Sequence, residues 1–345
     1  MRKRFRVVSA FLICALTGFL LTGCGGTQSS TADKKVEKKV IKVAIGLNEE
    51  SPEFKGLQKF KEIVEKDSKG RLEVNIFGNA QLGDDVKAMT QLRAGTLEMS
   101  GPSSSPIASL DKKWMVFDLP FLFPNEEVVD KVLDGAIGQK FLDSLSQYGI
   151  KGICYYENGY RQLTNSTREI KSPADLKGLK IRTMENPVHL AAFRTMGANP
   201  TPMPFSEVFT AMQQKTIDGQ ENPSTTNYLQ KFYEVQKYNT LSNHVYTPFV
   251  IMFSQKIWAT LPKEDQDIIL KAGKESSVYQ RQYNREMMKE AVAGMEKNGV
   301  VVTRLTPEQQ KAFMEATKDI VTQFQAEIGT TTVQEVQAEI AKYAK

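Results

Sequence analysis

The feature that most constrains the fold is a run without proline from Lys263 to Lys297, followed by the helix stop Asn298-Gly299. A single helix of roughly 35 residues, rising about 1.5 Å per residue, is on the order of 50 Å long. That is longer than one lobe of a chain this size needs. We therefore expect this helix to brace two lobes.

Strands and helices alternate in the first third of the chain. Residues 41–45 alternate as a strand, and Ser51-Pro52 predicts the start of a helix that ends at residues 68–70. A strand at residues 71–77 and a helix at about 84–94 follow. This succession is typical of a mostly parallel sheet with helical crossovers, so the sequence predicts an α/β fold.

The chain opens with the basic segment MRKRFR and the apolar run Val7 to Leu21, which is too short for a comfortable membrane span. With Cys24 after small residues, it resembles a bacterial lipoprotein signal. In such signals residues 1–23 are removed and the Cys24 thiol receives a diacylglycerol. The alternative is a plain secretory signal with an incidental cysteine. Residues 24–39 are small, polar and lysine-rich, which predicts a flexible tether.

The formal net charge of +5 belongs to the opening segment. Residues 1–23 carry four of the 45 lysines and arginines and no acid, which leaves 41 basic against 40 acidic residues in the rest. The charge balance of the remaining chain therefore gives no reason to expect binding to nucleic acid or to an anionic membrane. No later basic cluster is interleaved with aromatic residues, so we expect no nucleic-acid binding.

The cysteines and histidines argue against a metal or catalytic centre. Cys154 is alone in the predicted folded part, which excludes an internal disulfide and favours a small core residue. His189 and His244 lack cysteine partners or a close-spaced carboxylate motif, so we expect no metal site and no cofactor. No hydrolase, metalloprotease, phosphate-loop or dinucleotide motif occurs, which is the main reason to expect that the protein is not an enzyme.

Two segments contain candidate ligand-binding residues. GLKIRTMENP, residues 178–187, predicts a short strand with Arg182 on its more polar face. From the pattern alone this arginine either faces solvent or contacts a ligand, and the first is the commoner case. GPSSSP, residues 101–106, follows a predicted strand, where loops gather at the binding crevice of open α/β sheets. Its Ser103 could donate hydrogen bonds to a ligand or belong to a simple turn.

Several motifs stand in order along the chain. They are NAQLGDD (79–85), FDLPFLF (117–123), NGYRQLTNSTREIKSPADLKGLKIR (158–182), GANPTPMPFSEVFTAMQQKTIDGQENP (197–223) and FYEVQKY (232–238). Together they resemble the solute-binding proteins of TRAP (tripartite ATP-independent periplasmic) transporters. The resemblance implies an α/β, two-lobed, periplasmic-binding-protein-like fold with a ligand cleft and a long bracing helix. We expect residues 40–158 with 248–286 to form lobe I, and 159–247 with 287–345 to form lobe II.

The resemblance also implies ligand-binding residues. The family arginine that grips the ligand carboxylate corresponds to Arg182, and a planar guanidinium suits this role because it makes two parallel charge-assisted hydrogen bonds. Arg161 corresponds to a frequent second anchor, and Asn222 to a residue that reaches the carboxylate or a neighbouring polar group. Asn186 could line the same cleft or serve as a turn residue. Glu221 is expected to be a structural partner of the backbone or of an arginine.

Two departures from the family pattern bear on the site. Lys215 stands where many relatives have a glycine, which predicts a local change at a helix end. Residues 101–106 offer serines and prolines where some relatives place a ligand-selecting acid. A C4-dicarboxylate is the first expectation for the ligand, with sugar acids such as uronates and other monocarboxylates as alternatives.

The sequence thus predicts a monomeric, extracytoplasmic, lipid-anchored receptor facing a periplasm or the exterior. It would capture an organic acid anion and pass it to the small and large membrane subunits of a sodium- or proton-driven TRAP transporter. One alternative is a ligand sensor of the same fold that serves a signalling partner. Another is a cell-surface enzyme acting on a small acid, for which His189 is the histidine near Arg182.

Overall fold

The computed structural model describes residues 38–344, so the predicted signal, Cys24 and most of the tether lie outside the described residues. Its strands are β1 (Lys39–Ala44), β2 (Leu72–Phe77), β3 (Met99–Ser100), β4 (Ile150–Asn165), β5 (Lys180–Thr183), β6 (Asn199–Pro202), β7 (Gly219–Pro223), β8 (Tyr238–Leu241), β9 (Tyr246–Ser254) and β10 (Val301–Arg304). Its α-helices are α1 (Pro52–Asp67), α2 (Asp85–Ala94), α3 (Glu126–Leu133), α4 (Ala136–Ser144), α5 (Pro187–Thr195), α6 (Phe205–Gln213), α7 (Ser224–Leu229), α8 (Gln255–Trp258), α9 (Lys263–Lys297), α10 (Pro307–Thr317), α11 (Ile320–Ile328) and α12 (Thr330–Tyr343). Short 3-10 helices cover Ser105–Ser109, Lys112–Asp118, Leu145–Tyr148, Pro173–Leu176 and Phe232–Glu234. Within residues 38–344, no helix combines the length and the apolar character needed to cross a bilayer.

Strand β4 belongs to two sheets. Residues 150–160 pair with β9 and complete a first sheet in the order β2-β1-β3-β9-β4. Residues 161–165 pair with β7 and begin a second sheet, which continues through β5 and β6 on one side and through β8 and β10 on the other. The register shifts between Glu157 and Gly159, immediately before β4 leaves the first sheet. The chain therefore passes from one sheet to the other along a single strand.

The strand directions correct the expectation of a mostly parallel sheet. β1 runs parallel to β2 and β3, and β5 runs parallel to β6 and β7, as the alternation of strands and helices predicts. By contrast, β4 is antiparallel to β7, β8 and β9, and β9 is antiparallel to β3. The expectation was based on local strand-helix-strand units, in which the two strands run parallel. The long strands β4 and β9 connect such units without belonging to one, so they can run antiparallel to their neighbours.

Both faces of the first sheet are buried. Along β9, Val250 and Met252 belong to one hydrophobic cluster, while Ile251 and Phe253 belong to another on the opposite face. The first cluster contains Trp114 and other members of the aromatic stretch between residues 114 and 123. The second lies under α1 and α9. Smaller clusters under α5 and α10, and under α6, cover the second sheet.

Helix α9 has the 35 residues and the bounds that the sequence predicts. It packs along α1 and β4 and continues to α7 and β10, so it reaches elements of both sheets. Near its middle, the Gln280 side chain accepts a hydrogen bond from the Glu157 N–H at 2.7 Å and donates one to the Glu157 carbonyl at 2.8 Å. Helix α9 thus contacts both sheets and also holds β4 shortly before that strand passes from the first sheet to the second. The expectation of a bracing helix is confirmed.

The two C-terminal helices pack differently from the predicted division into lobes. The sequence places residues 287–345 in lobe II. In the structure, α11 and α12 contact the 3-10 helix at 112–118, and α12 also contacts α3 and α4. Ile320 and Val336 share the hydrophobic cluster of Trp114. Helix α12 therefore packs with elements assigned to lobe I, whereas α11 contacts both the 3-10 helix at 112–118 and α5, which is assigned to lobe II.

Gly56 allows α1 to approach α9 closely. A Cβ atom at Gly56 would lie 2.7 Å from the Gln280 side chain and 2.7 Å from the Tyr156 ring, whereas carbon atoms in contact stay about 3.5–4 Å apart. We expect Gly56→Val to lower the free energy of unfolding by about 1–3 kcal/mol through overpacking. Denaturant titration followed by circular dichroism measures the change. Gln58→Val, at an exposed position of α1, is the control, and equal losses in both variants would contradict the close contact.

Candidate functional site

A cavity lies where the two sheets meet. Elements of both sheets and the crossing segment of β4 contribute to its wall. The lining residues are Gly46, Leu47, Glu53, Asp84, Asp85, Ser103, Pro106, Asn158, Arg182, Met184, Glu185, Pro204, Phe205, Asn222 and Phe249.

The wall is built at the ends of parallel strands and the beginnings of helices. Gly46, Ser103 and Met184 follow β1, β3 and β5, respectively, while Glu53 and Asp85 stand in the first turns of α1 and α2. In open α/β sheets, the crevice outside the carboxyl ends of the strands is the usual ligand site. The fold therefore places this cavity where a bound molecule is expected.

Arg182 brings a buried cation to the cavity. Its side chain is 2 % exposed. Nε and Nη2 donate to the Met203 carbonyl at 2.9 and 2.6 Å, while buried Nη1 has no hydrogen-bond partner among residues 38–344. The guanidinium carbon lies 6.0 Å from the centre of the Phe205 ring. Burial lowers the pKa of Arg182 to about 10, with Glu221 acting in the opposite direction, so the group stays charged at neutral pH.

Two acidic side chains share the cavity with Arg182. Glu53 is 1 % exposed, and neither carboxyl oxygen has a hydrogen-bond partner within the described part of the chain. Burial, and then the nearby Asp85, raise the pKa of Glu53 well above its ordinary value. Asp85 accepts a hydrogen bond from the Ser103 N–H at 3.1 Å, yet burial raises its pKa to about 7. Burial thus favours the protonated form of both carboxyl groups, and Asp85 is partly protonated near neutral pH.

Neutral polar groups complete the wall. The buried Ser103 hydroxyl has no hydrogen-bond partner among the residues that the structure describes. Asn158 donates to the Thr247 hydroxyl at 3.2 Å. Asn222 accepts from Arg161 Nη2 at 3.1 Å and donates to the Gln220 side chain at 2.5 Å. Ser103, Asn158 and Asn222 can each offer a ligand a further hydrogen bond.

Arg161 lies behind this wall and does not line the cavity. Its fully buried guanidinium pairs with Glu221 through Nε and through Nη2 at 2.9 Å, and Nη1 donates to the Thr247 hydroxyl at 3.4 Å. Burial alone would raise the pKa of Glu221, but Arg161 and His244 hold it below its ordinary value. In this structure Arg161 is thus a structural partner of Glu221, the role expected for that acid. It is connected to the cavity wall through Asn222 and, by way of Thr247, through Asn158.

Asn186 is also absent from the cavity wall, because its polar atoms are used elsewhere. Its side-chain oxygen caps α5 by accepting from the Val188 N–H at 2.9 Å. Its amide donates to Asp118 at 2.8 Å and to the Ser105 carbonyl at 3.1 Å. Asn186 therefore fits the role of a turn residue better than that of a ligand contact.

Comparison with known proteins identifies the family. The sequence model of bacterial extracellular solute-binding protein, family 7 (DctP), matches residues 43–328. The chain belongs to this family. The resemblance to TRAP solute-binding proteins is thereby confirmed. Proteins of this family bind solutes outside the cytoplasm for transport.

Two relatives and one solved structure are similar over most of their lengths. The 2,3-diketo-L-gulonate-binding periplasmic protein YiaO of Escherichia coli is 38% identical over 259 residues, 75% of this chain and 78% of that protein. The C4-dicarboxylate-binding periplasmic protein DctP of Shewanella loihica is 35% identical over 290 residues, 84% and 86% of the two chains. The crystal structure of the sugar acid binding protein DctPAm of Advenella mimigardefordensis, in complex with galactonate, superposes with a TM-score of 0.87 at 43% identity, covering 89% of this chain and 99% of that one. The expected two-lobed α/β fold is confirmed.

The sequence did not single out several cavity residues of this family 7 protein. Glu53 and Asp85 stand in first helical turns, where acidic residues are common because they complement the helix dipole. Their local pattern is therefore ordinary. The one available signal for Asp85 was its place in the NAQLGDD motif. Only the tertiary structure shows that both side chains face the same cavity as Arg182.

The buried Glu53 carboxyl group should make the stability of this solute-binding protein depend on pH. Unfolding lets Glu53 ionise near its ordinary pKa of about 4.3, whereas the folded state keeps the proton to a higher pH. Above about pH 4.3 the unfolded chain thus binds fewer protons, so this group lowers stability increasingly as pH rises toward the folded-state pKa.

We therefore expect Glu53→Gln to raise the melting temperature of the unliganded protein relative to wild type more at about pH 8 than at about pH 4, where both states are largely protonated. Differential scanning calorimetry at the two pH values measures this. Glu207→Gln, which changes an exposed acid in the first turn of α6, is the control. A gain that does not change with pH would contradict ionisation of Glu53 as its cause.

Proposed function

We propose that this chain is a lipid-anchored, extracytoplasmic receptor that captures an organic acid anion and delivers it to the membrane subunits of a TRAP transporter. The observation that carries the proposal is the Arg182 guanidinium, 2 % exposed, with Nη1 unpaired among residues 38–344 at the edge of the cavity. Burying a cation with unused donors costs free energy unless an anion binds there. A ligand carboxylate is such an anion.

The contacts of Arg182 determine how a carboxylate would bind. The Met203 carbonyl occupies Nε and one hydrogen of Nη2. The Nη1–Nη2 edge of the guanidinium remains, with parallel N–H groups that match the two oxygens of a carboxylate. Lysine would supply the charge without this fork. The three compared proteins are named for, or bound to, carboxylate anions, which supports the same ligand chemistry here.

Capture requires movement of the two lobes. The cavity is walled by both sheets, and Arg182 is almost inaccessible in this conformation. A ligand would therefore enter while the lobes are apart and would stabilise the closed form through contacts that exist only there. The β4 segment around Asn158 and Gly159, which joins the sheets, is the natural hinge. The transporter would then recognise the closed, loaded surface.

Anchoring would come from Cys24, outside the described residues. A diacylglycerol on the Cys24 thiol supplies two acyl chains, enough for stable attachment to a membrane surface. The segment from Cys24 to the start of β1 at Lys39 would act as a flexible tether that lets the receptor reach its transporter. The receptor performs no chemistry on its ligand.

Replacement of the clamp should strongly weaken capture. In a thermal-shift screen of organic acids, a ligand at about 100 times its dissociation constant adds about 2.7 kcal/mol to the stability of wild type. We expect Arg182→Ala to raise the dissociation constant roughly 30-fold or more, because loss of one partner of a buried charged pair costs about 2–5 kcal/mol. The same ligand concentration should then add about 1 kcal/mol or less.

Two further variants make the result interpretable. Arg194→Ala removes an exposed arginine of α5 and should leave the ligand shift unchanged. Arg182→Lys keeps the positive charge but loses the fork, so weakened but measurable binding is expected. Circular dichroism checks that each variant folds. Binding of every hit by Arg182→Ala with the affinity of wild type would refute the clamp.

Lipid anchoring has its own test. Cys24→Ala should move the protein from the membrane fraction to the soluble extracytoplasmic fraction and prevent incorporation of an alkyne-labelled fatty acid. Cys14→Ala lies within the predicted signal and should change neither property. Ligand affinity should be the same in both variants, because the lining residues that the structure describes lie between Gly46 and Phe249. Labelling of Cys24→Ala at the level of wild type would exclude this cysteine as the lipid site.

A further inference from the structure

The charges around the cavity are unequal, and this bears on the part of the ligand that lies away from Arg182. Within the described chain, the lining contains one cationic side chain, Arg182, and four acidic ones, Glu53, Asp84, Asp85 and Glu185. A ligand carboxylate would occupy the free edge of Arg182. A second ligand carboxylate would find no further cation and would face acidic groups.

Glu53 is the most unusual of these groups. It is 1 % exposed, and both carboxyl oxygens lack hydrogen-bond partners among residues 38–344. A Cβ atom at Gly101 would lie 2.5 Å from Glu53 Oε1, so the glycine leaves room for this carboxyl group. A buried carboxyl group without partners is costly, and hydrogen bonds from a ligand would offset that cost.

Other polar groups around the cavity fit the same ligand chemistry. Asp85 accepts only the Ser103 N–H among the described residues, at 3.1 Å, which leaves acceptor capacity on its carboxylate. The buried Ser103 hydroxyl is unpaired within residues 38–344. Carboxylate oxygens and serine hydroxyls bind alcohol groups well, since an alcohol both donates and accepts. An alcohol can also pair with Glu53 whether or not that acid is protonated.

From these contacts we propose that the ligand is a polyhydroxylated monocarboxylate. Its carboxylate binds Arg182, and its hydroxyl groups bind a polyol subsite formed by Glu53, Asp85 and Ser103. A dicarboxylate is disfavoured, because its second carboxylate would be buried away from Arg182, the one cation in the described lining. This inference rests on the proposed function and replaces a C4-dicarboxylate, the first expectation from the sequence, as the preferred ligand class.

Ligands matched in carbon number test the proposal. Isothermal titration calorimetry on the purified full chain compares D-erythronate, succinate and butanoate, and then D-gluconate, adipate and hexanoate. In at least one set, we expect the polyhydroxylated acid to bind ten or more times as tightly as the dicarboxylate and the plain monocarboxylate. Tighter binding of succinate or adipate than of the matched polyhydroxylated acid would overturn the proposal.

Variants then assign the preference to the subsite. Glu53→Gln and Asp85→Asn keep the side-chain size and remove the carboxyl group. Each should reduce the ratio of polyhydroxylated-acid to dicarboxylate affinity at least fivefold, mainly by weakening the hydrogen bonds to the ligand hydroxyl groups. Glu207→Gln, the exposed acid of α6, should leave the ratio unchanged. An unchanged ratio in either subsite variant that folds would remove that residue from the subsite, and in both would overturn it. If one variant fails to fold, the other decides the question.

Arg182→Ala separates this proposal from the function on which it rests. If a dicarboxylate binds best and Arg182→Ala abolishes its binding, the receptor function stands and the ligand class proposed here is wrong. If Arg182→Ala binds the preferred acid as wild type does, the carboxylate clamp fails and the proposed orientation in the subsite fails with it. Loss of binding in Arg182→Ala, together with a reduced ratio in Glu53→Gln, supports both.

Discussion

Two hydrogen bonds between the Gln280 side chain and the backbone of Glu157 hold the strand that both sheets share. The Glu157 carboxylate is fixed as well, by Asn284 at 2.9 Å and by Arg285 at 2.7 Å. All three partners lie on α9, so the long helix holds β4 at the place where it changes sheets. The next residue, Asn158, already lines the cavity. Strand β4 therefore places two features next to each other in sequence. One is the passage between the sheets, and the other is the wall of the cavity.

The two buried arginines differ in how many of their donors are paired within the described chain. Arg161 is fully buried and donates hydrogen bonds to Glu221, Asn222 and Thr247. Arg182 is buried almost as deeply, but it has only a backbone carbonyl as hydrogen-bond partner within the described chain. Buried ion pairs contribute little net stability, although breaking one is costly. The first arginine therefore maintains the architecture, and the second keeps donors available at a cost in stability.

Features that depend on local sequence could be predicted well. The bounds of α9 follow from the absence of proline and from the stop after Lys297, and the start of α1 follows from Ser51, which caps it through the Phe54 N–H. The antiparallel partnership of β4 and β9 could not be predicted, because strand pairing depends on contacts distant in sequence. The docking of α12 on α3 is unpredictable for the same reason, since an apolar helix face does not specify its partner.

Within the candidate site, the motif resemblance pointed to Arg182, whereas its strand pattern favoured solvent exposure. Ser103 and Asn222 also line the cavity, while Arg161 and Asn186 do not. Sequence could not separate these groups, because a polar residue near a cleft can face either the ligand or the protein behind it. Glu53 was missed because nothing local distinguishes it from an ordinary first-turn acid.

The Met203 carbonyl that orients Arg182 belongs to the backbone. No replacement of the Met203 side chain can delete this carbonyl, so the orientation of the Arg182 guanidinium is encoded in the fold. The acidic part of the cavity wall consists of side chains, which single codon changes can alter one at a time. If the proposed clamp is correct, a protein engineer could vary residues 53 and 85 to change the preferred carboxylate and retain the contact with its acid group.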